Sequence, residues 1–128
     1  MTLWGLKTIA TFDPWSIEHL ASGISVGAFV RARAARAAAL WVLFLAYAWE
    51  TLEHYLETGL AGARVTYWFQ GVEHWSNRLL SDPALMLIGL MVAVRYPGTV
   101  PYARTFSLLW LIVHVFVLKH SMALYEGL

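Results

Sequence analysis

Glu50, Glu53, His54 and Glu57 recur at i, i+3, i+4 and i+7, the spacing that sets three carboxylates and an imidazole along one face of a helix. Such oxygen and nitrogen donors suit zinc, iron or manganese, and the same groups can act as general acid and base. Three residues from other stretches extend the set, so His19, Glu50, His54, Asp82 and His120 are the candidate metal ligands. Glu50 and Glu53 are the candidate catalytic carboxylates, Glu53 by orienting its neighbours. Asn77 and Arg78 are candidates for holding the head group of a lipid or envelope amphiphile, because a guanidinium fork matches phosphate or carboxylate. Plainer roles compete with these. Glu57, Glu73 and Glu126 read as solvated surface acids, and Asp13 and Asp82, each before a proline, read as helix caps. His114 reads as a packed residue of an aromatic-rich helix, and Arg78 as an interfacial anchor pairing with Asp82 four residues on.

The elements that must position these groups are apolar. Of 128 residues, 59% are hydrophobic and only 13% charged, with a mean hydropathy of +0.58; soluble domains carry about 25% charged residues. A net charge of +1 gives no field to recruit nucleic acid. The absence of cysteine removes disulfides, thiolate metal sites and cysteine nucleophiles. Four apolar stretches, residues 15–30, 37–57, 83–95 and 105–124, approach the roughly 20 residues needed to cross a bilayer. The expected fold is therefore all-α, a single-domain integral membrane four-helix bundle. An interfacial segment with Tyr67, Trp68, Phe69 and Trp75 lies between helices 2 and 3. No removable signal peptide is expected at the start. Gly23 and Gly27 form a small-residue face on which another helix, or another copy of the chain, can approach closely.

The direction of the spans follows from charge. Arg31, Arg33, Arg36, Arg95 and Arg104 flank two loops that fall on one side and contain no acid, which predicts a cytoplasmic face there and both termini outside. All eight acids then lie toward the outer half. His19, Glu50, Asp82 and His120 lie 12, 14, 13 and 16 residues from the flanking arginines. At 1.5 Å per residue, that places them in one layer roughly 18–24 Å from the cytoplasmic arginines. Ionisable groups at such depth face a bundle interior or a watery cavity and are functional by default.

Asp13, His19 and Gly23 opening the first span, Trp49-Glu50-Thr51-Leu52-Glu53 ending the second, and Arg78, Asp82 and Gly89 at the third resemble the pattern of VanZ-like and related small polytopic bacterial membrane proteins. The resemblance spans about residues 13–90 as scattered positions and implies a multi-pass protein of the bacterial inner membrane. His54, Glu57, His74 and the fourth helix depart from it. Two functions of different class fit the residues. One is a metal-dependent or acid/base site acting on a lipid or envelope amphiphile. The other is a non-enzymatic accessory subunit of a larger respiratory or photosynthetic membrane complex, with haem or pigment held by a pair drawn from His19, His54, His114 and His120.

Overall fold

Asp13 opens the helical part of the chain. Its Oδ1 accepts the Trp15 N–H at 2.7 Å, satisfying the first amide of the helix, and its own N–H is donated to Ser16 Oγ at 3.0 Å. The computed structural model describes residues 2–127. Helix α1 runs Trp15–Ala34, and a 3₁₀ turn at Ala35–Ala37 leads into α2, Ala38–Glu57. The short α3, Ala63–Phe69, ends in a left-handed Gln70 (φ 59°) followed by Gly71 at φ 99°. A π-helical turn at Asn77–Ser81 runs directly into α4, Asp82–Arg95. Helix α5, Val100–Ile112, continues as a second π-helical turn, Val113–Val117, and α6 occupies Ala123–Gly127. Ahead of the helices, β1 (Thr2–Trp4) and β2 (Ala10–Phe12) pair in parallel, with Thr2 opposite Ala10 and Trp4 opposite Phe12. The turn joining them holds Lys7, whose carbonyl accepts the His74 N–H at 2.7 Å. The described chain is mostly helical.

Helix α1 is central and packs on α4, α5 and α2; α2 also packs on α4. The α1–α4 crossing is very close. A Cβ added to Gly89 would stand 2.5 Å from Gly23 C and Ile24 N, and one added to Gly27 would stand 2.7 Å from Leu90 Cα. The Gly23/Gly27 face is thus filled by α4 of the same chain rather than left open for a second copy. Around it lies a core of small or slender side chains, among them Ala38, Val42, Ala46, Met86 and Leu90.

What surrounds that core is more apolar than a soluble surface. On α2 the buried residues form one thin stripe, Ala38, Val42, Ala46, Glu50, Glu53 and Glu57, while Leu40, Trp41, Phe44, Trp49, Leu52 and Tyr55 face outward. On α5 only Ala103 is buried, and His114 follows it in the π-helical turn. Two stretches, Asn77–Arg95 and Pro97–Val117, are long and apolar enough to cross a membrane. The first starts six residues before the expected third span, because the π-helical turn extends α4 into the aromatic segment. The second stops at Val117, where Leu118 becomes extended (ψ 153°), so the expected run to 124 is broken.

Candidate metal centre

The glutamate end of the α2 stripe meets residues from four other segments. His19 Nε2 lies 3.3 Å from Glu50 Oε1 and 3.3 Å from Asp82 Oδ2. The other ring nitrogen sets the orientation: His19 Nδ1–H donates to the Trp15 carbonyl at 2.8 Å, one helical turn back. Nε2 is thereby aimed at the carboxylates, as a lone pair that can ligate a metal when the ring is neutral and as an N–H donor to Glu50 and Asp82 when it is protonated. Glu53 and Glu73 face each other beside this group, and Glu57 closes it by pairing with Lys7 Nζ at 3.1 Å and accepting the Glu73 N–H at 2.9 Å.

Three overlapping sets within this cluster, His19–Glu50–Glu53, Glu50–Glu73–Asp82 and Glu53–Glu57–Glu73, each bring three buried ligand atoms within 4.8 Å of one another. Five carboxylates face one lysine and one histidine. Glu50 and Asp82 are 2% and 1% exposed, so bulk water screens them little. Glu50 Oε2, Glu73 Oε2 and both Asp82 oxygens lack a hydrogen-bond donor among the described residues. Acceptor faces acceptor here unless a proton or cation stands between. Outside the helices the consequence is visible at Glu73: burial first, and then the charges of Asp82, Glu50 and Glu57, hold its carboxyl well above the usual carboxylate range against the lowering contact with Glu53. Burial also pushes Asp13 up, although Asn77, His19, the Trp15 amide and Lys7 pull it down.

The sequence-expected residues divide. His19, Glu50, Glu53 and Asp82 come together. His54 does not join them: at about 100° per residue it falls to one side of Glu50 while Glu53 falls to the other, and the cluster forms on the Glu53 side, where Glu73 and Lys7 lie. His54 Nδ1 instead accepts from Arg78 Nη1 at 2.8 Å. Arg78 therefore reaches His54, not Asp82. His120 sits beyond the helix break at Leu118, with Nε2 3.2 Å from Glu126 and Nδ1 accepting the Met122 N–H. Asp82 is no cap, because α4 is already helical before it, and its side chain is buried in the cluster. Glu57 and Glu73, read as solvated, are buried; Glu126 is exposed.

Asn77, read as a head-group contact, is fully buried and donates to Asp13 Oδ2 at 2.7 Å. It ties the start of α1 to the turn before α4. Asn77→Ala leaves a buried carboxylate oxygen unpaired, and the expected loss is about 2 kcal/mol of stability, read as a lowered thermal midpoint in detergent. His114 packs against Trp15 and stacks on Trp110 with ring centroids 4.9 and 4.4 Å away. Its Nδ1–H donates to the Trp110 carbonyl, and Nε2 has no partner among the described residues.

A cavity of about 520 Å³ opens onto the cluster; His19, Glu50, Glu53, Glu73 and Lys7 line it together with apolar residues that include Val26, Ala46, Met86, Leu111 and Val115. That volume lies within the range of small-molecule sites. Comparison with protein-family models, curated proteins and solved structures finds no match for this chain, so the reading rests on its own residues.

Proposed function

We propose that this chain is a multi-pass membrane protein, a helical bundle with a divalent-metal centre near its outer face that works by acid/base or metal-assisted hydrolytic chemistry. The observation that carries the reading is the buried cluster of Glu50, Glu53, Glu57, Glu73 and Asp82 around His19, with four oxygens lacking a donor. Buried carboxylates at this density need a proton or a cation between them, and a bundle whose outward faces are apolar gives them little water for screening. One imidazole among many carboxylates suits manganese or iron better than zinc, whose sites take more nitrogen or sulfur. A bound ion would lower the pKa of its water toward neutrality. Around it His19, Glu50 and Asp82 hold the ion, Glu53 orients, and Glu73 is the group placed to hold a proton. The residues that carry the resemblance to VanZ-like proteins include Asp13, His19, Glu50, Glu53 and Asp82, all in or beside this cluster. A bacterial inner-membrane location with the arginine-rich loops inside completes the proposal.

The test is elemental analysis of detergent-purified protein. The wild type is expected to hold manganese, iron or zinc near stoichiometrically. His19→Ala and Glu50→Gln are expected to weaken retention by about a hundredfold or more, beyond the effect of losing an outer partner. His54→Ala and His120→Ala are expected to keep the ion. Metal-free wild type, or equal loss in all four variants, overturns the reading.

One observation favours the second reading, an accessory subunit. Helix α5 and the turn after it expose nearly their whole circumference, Tyr102 at 79% and Phe116 at 81%, a surface that a partner chain as well as lipid can cover. Stable co-purification with larger subunits in a mild detergent, with no metal bound, is the outcome that would select it.

A further inference from the structure

The metal-centre cavity has an opening on the flank of the bundle. Leu45 and Trp49 of α2, Leu111 of α5 and Val115 of the π-helical turn after it line the cavity, and all four are also exposed on the outer flank, at 39%, 49%, 44% and 53%. A residue that lines a cavity and also faces the outside marks its mouth, so the mouth is the seam between α2 and α5. Both helices pack on α1, which forms the back wall through Val26 and Ser22. The rim is wholly apolar, and beside it run Phe44, Leu52, Leu108 and Ile112, also outward-facing and apolar. A water-soluble substrate would have to cross that apolar rim. A long hydrocarbon chain already in the bilayer would lie along it with no desolvation cost, exchanging lipid contacts for packing against the seam.

We infer that the cavity is a lateral portal, through which a long-chain amphiphile enters from the bilayer with its chain in the α2–α5 seam and its head group at His19, Glu50, Glu53 and Glu73. The inference rests on the metal-centre reading for the head group only. Five carboxylates repel an anionic head, so a phosphate reaches this end of the cavity through a bound cation; the chain needs only the seam. The two parts therefore fail separately.

The chain's lack of cysteine and its defined seam make photolabelling direct. Full-length protein in phosphatidylcholine nanodiscs is exposed to two diazirine-bearing probes, a hexadecyl alcohol and a hexadecyl phosphate, with inorganic phosphate as competitor. Both probes are expected to label the segments 45–49 and 111–115 above the outward faces at Leu40, Phe116 and Val117. Leu111→Trp and Val115→Trp put an indole where the chain would lie and are expected to cut that labelling severalfold by steric exclusion; their metal content stays at the wild-type level. Labelling by the phosphate probe, but not by the alcohol, is expected to fall on chelation and in Glu50→Gln. Excess inorganic phosphate is expected to leave seam labelling by the alcohol unchanged. Labelling spread evenly over the outward faces, or unchanged by the seam tryptophans, overturns the portal. Seam labelling by both probes that ignores chelation keeps the portal and removes the metal from it.

Discussion

Gly89→Val is expected to prevent α1 and α4 from closing, with a loss above about 3 kcal/mol, beyond ordinary core overpacking. The size follows from what the new Cβ meets. At Gly89 it stands 2.5 Å from Gly23 C and Ile24 N and 2.6 Å from Gly23 Cα, all backbone atoms that no rotamer change can move. Gly23→Val approaches the same crossing from the other side, with its Cβ 2.6 Å from the Met86 carbonyl oxygen. The helices must then separate by close to an ångström, and van der Waals contact along the crossing is lost. Close packing of small residues is the main attraction between helices in a membrane, where no hydrophobic effect holds them together. The site fails with the packing. His19 stands one helical turn before Gly23, and Asp82 seven residues before Gly89, so widening the crossing pulls apart their 3.3 Å contact. Thermal unfolding and size-exclusion profiles in mild detergent check this, with Gly98→Ala as the control, because a Cβ there meets nothing within 4 Å. A Gly89→Val protein that unfolds with the wild type would show that the helices do not approach this closely.

The same crossing shows which parts of the molecule are legible from residue order. Gly23 and Gly27 at one-turn spacing announce a close helix contact, but the sequence does not say whose helix fills it; here it is α4. The glutamates of α2 are legible because charges interrupt an apolar run at helical period. Counting residues from the flanking arginines brings His19, Glu50 and Asp82 to one depth, since rise per residue is constant while the helix lasts. The count fails for His120, because α5 unwinds at Leu118, and no proline or glycine in Phe116-Val117-Leu118-Lys119 marks the break. Glu73 and Lys7 are illegible for another reason. Both reach the cluster from irregular chain, where no period ties position to direction. Glu57 lies between these cases: its i+7 spacing from Glu50 places it on the right face, but only the Lys7 turn packed over it makes it a buried residue rather than a solvated helix end.

Lys7→Met is expected to destabilise the protein by about 3–5 kcal/mol, the usual result of removing one partner from a buried ion pair. Methionine keeps the length of the side chain and its place beside Phe69, where the Lys7 ammonium lies 5.1 Å from the ring centre, so the loss reports charge rather than volume. Lys7 is 3% exposed, and among the described residues it is the one lysine or arginine in ion contact with the five carboxylates. Without it, Glu57 joins Glu50, Glu53, Glu73 and Asp82 as a charge that must be protonated or met by another cation. Two further measurements separate these responses. Lys7→Met/Glu57→Gln removes both members and is expected to recover most of the loss, which gives a coupling energy from the double-mutant cycle. A divalent ion at a hundredfold its dissociation constant is expected to raise the stability of Lys7→Met by about 2.7 kcal/mol through mass action. The same addition to His19→Ala/Lys7→Met, where the imidazole ligand is gone, is expected to give much less. If Lys7→Met unfolds with the wild type, with or without metal, the cluster carries no net negative charge in the folded protein, and the argument for a cation there falls with it.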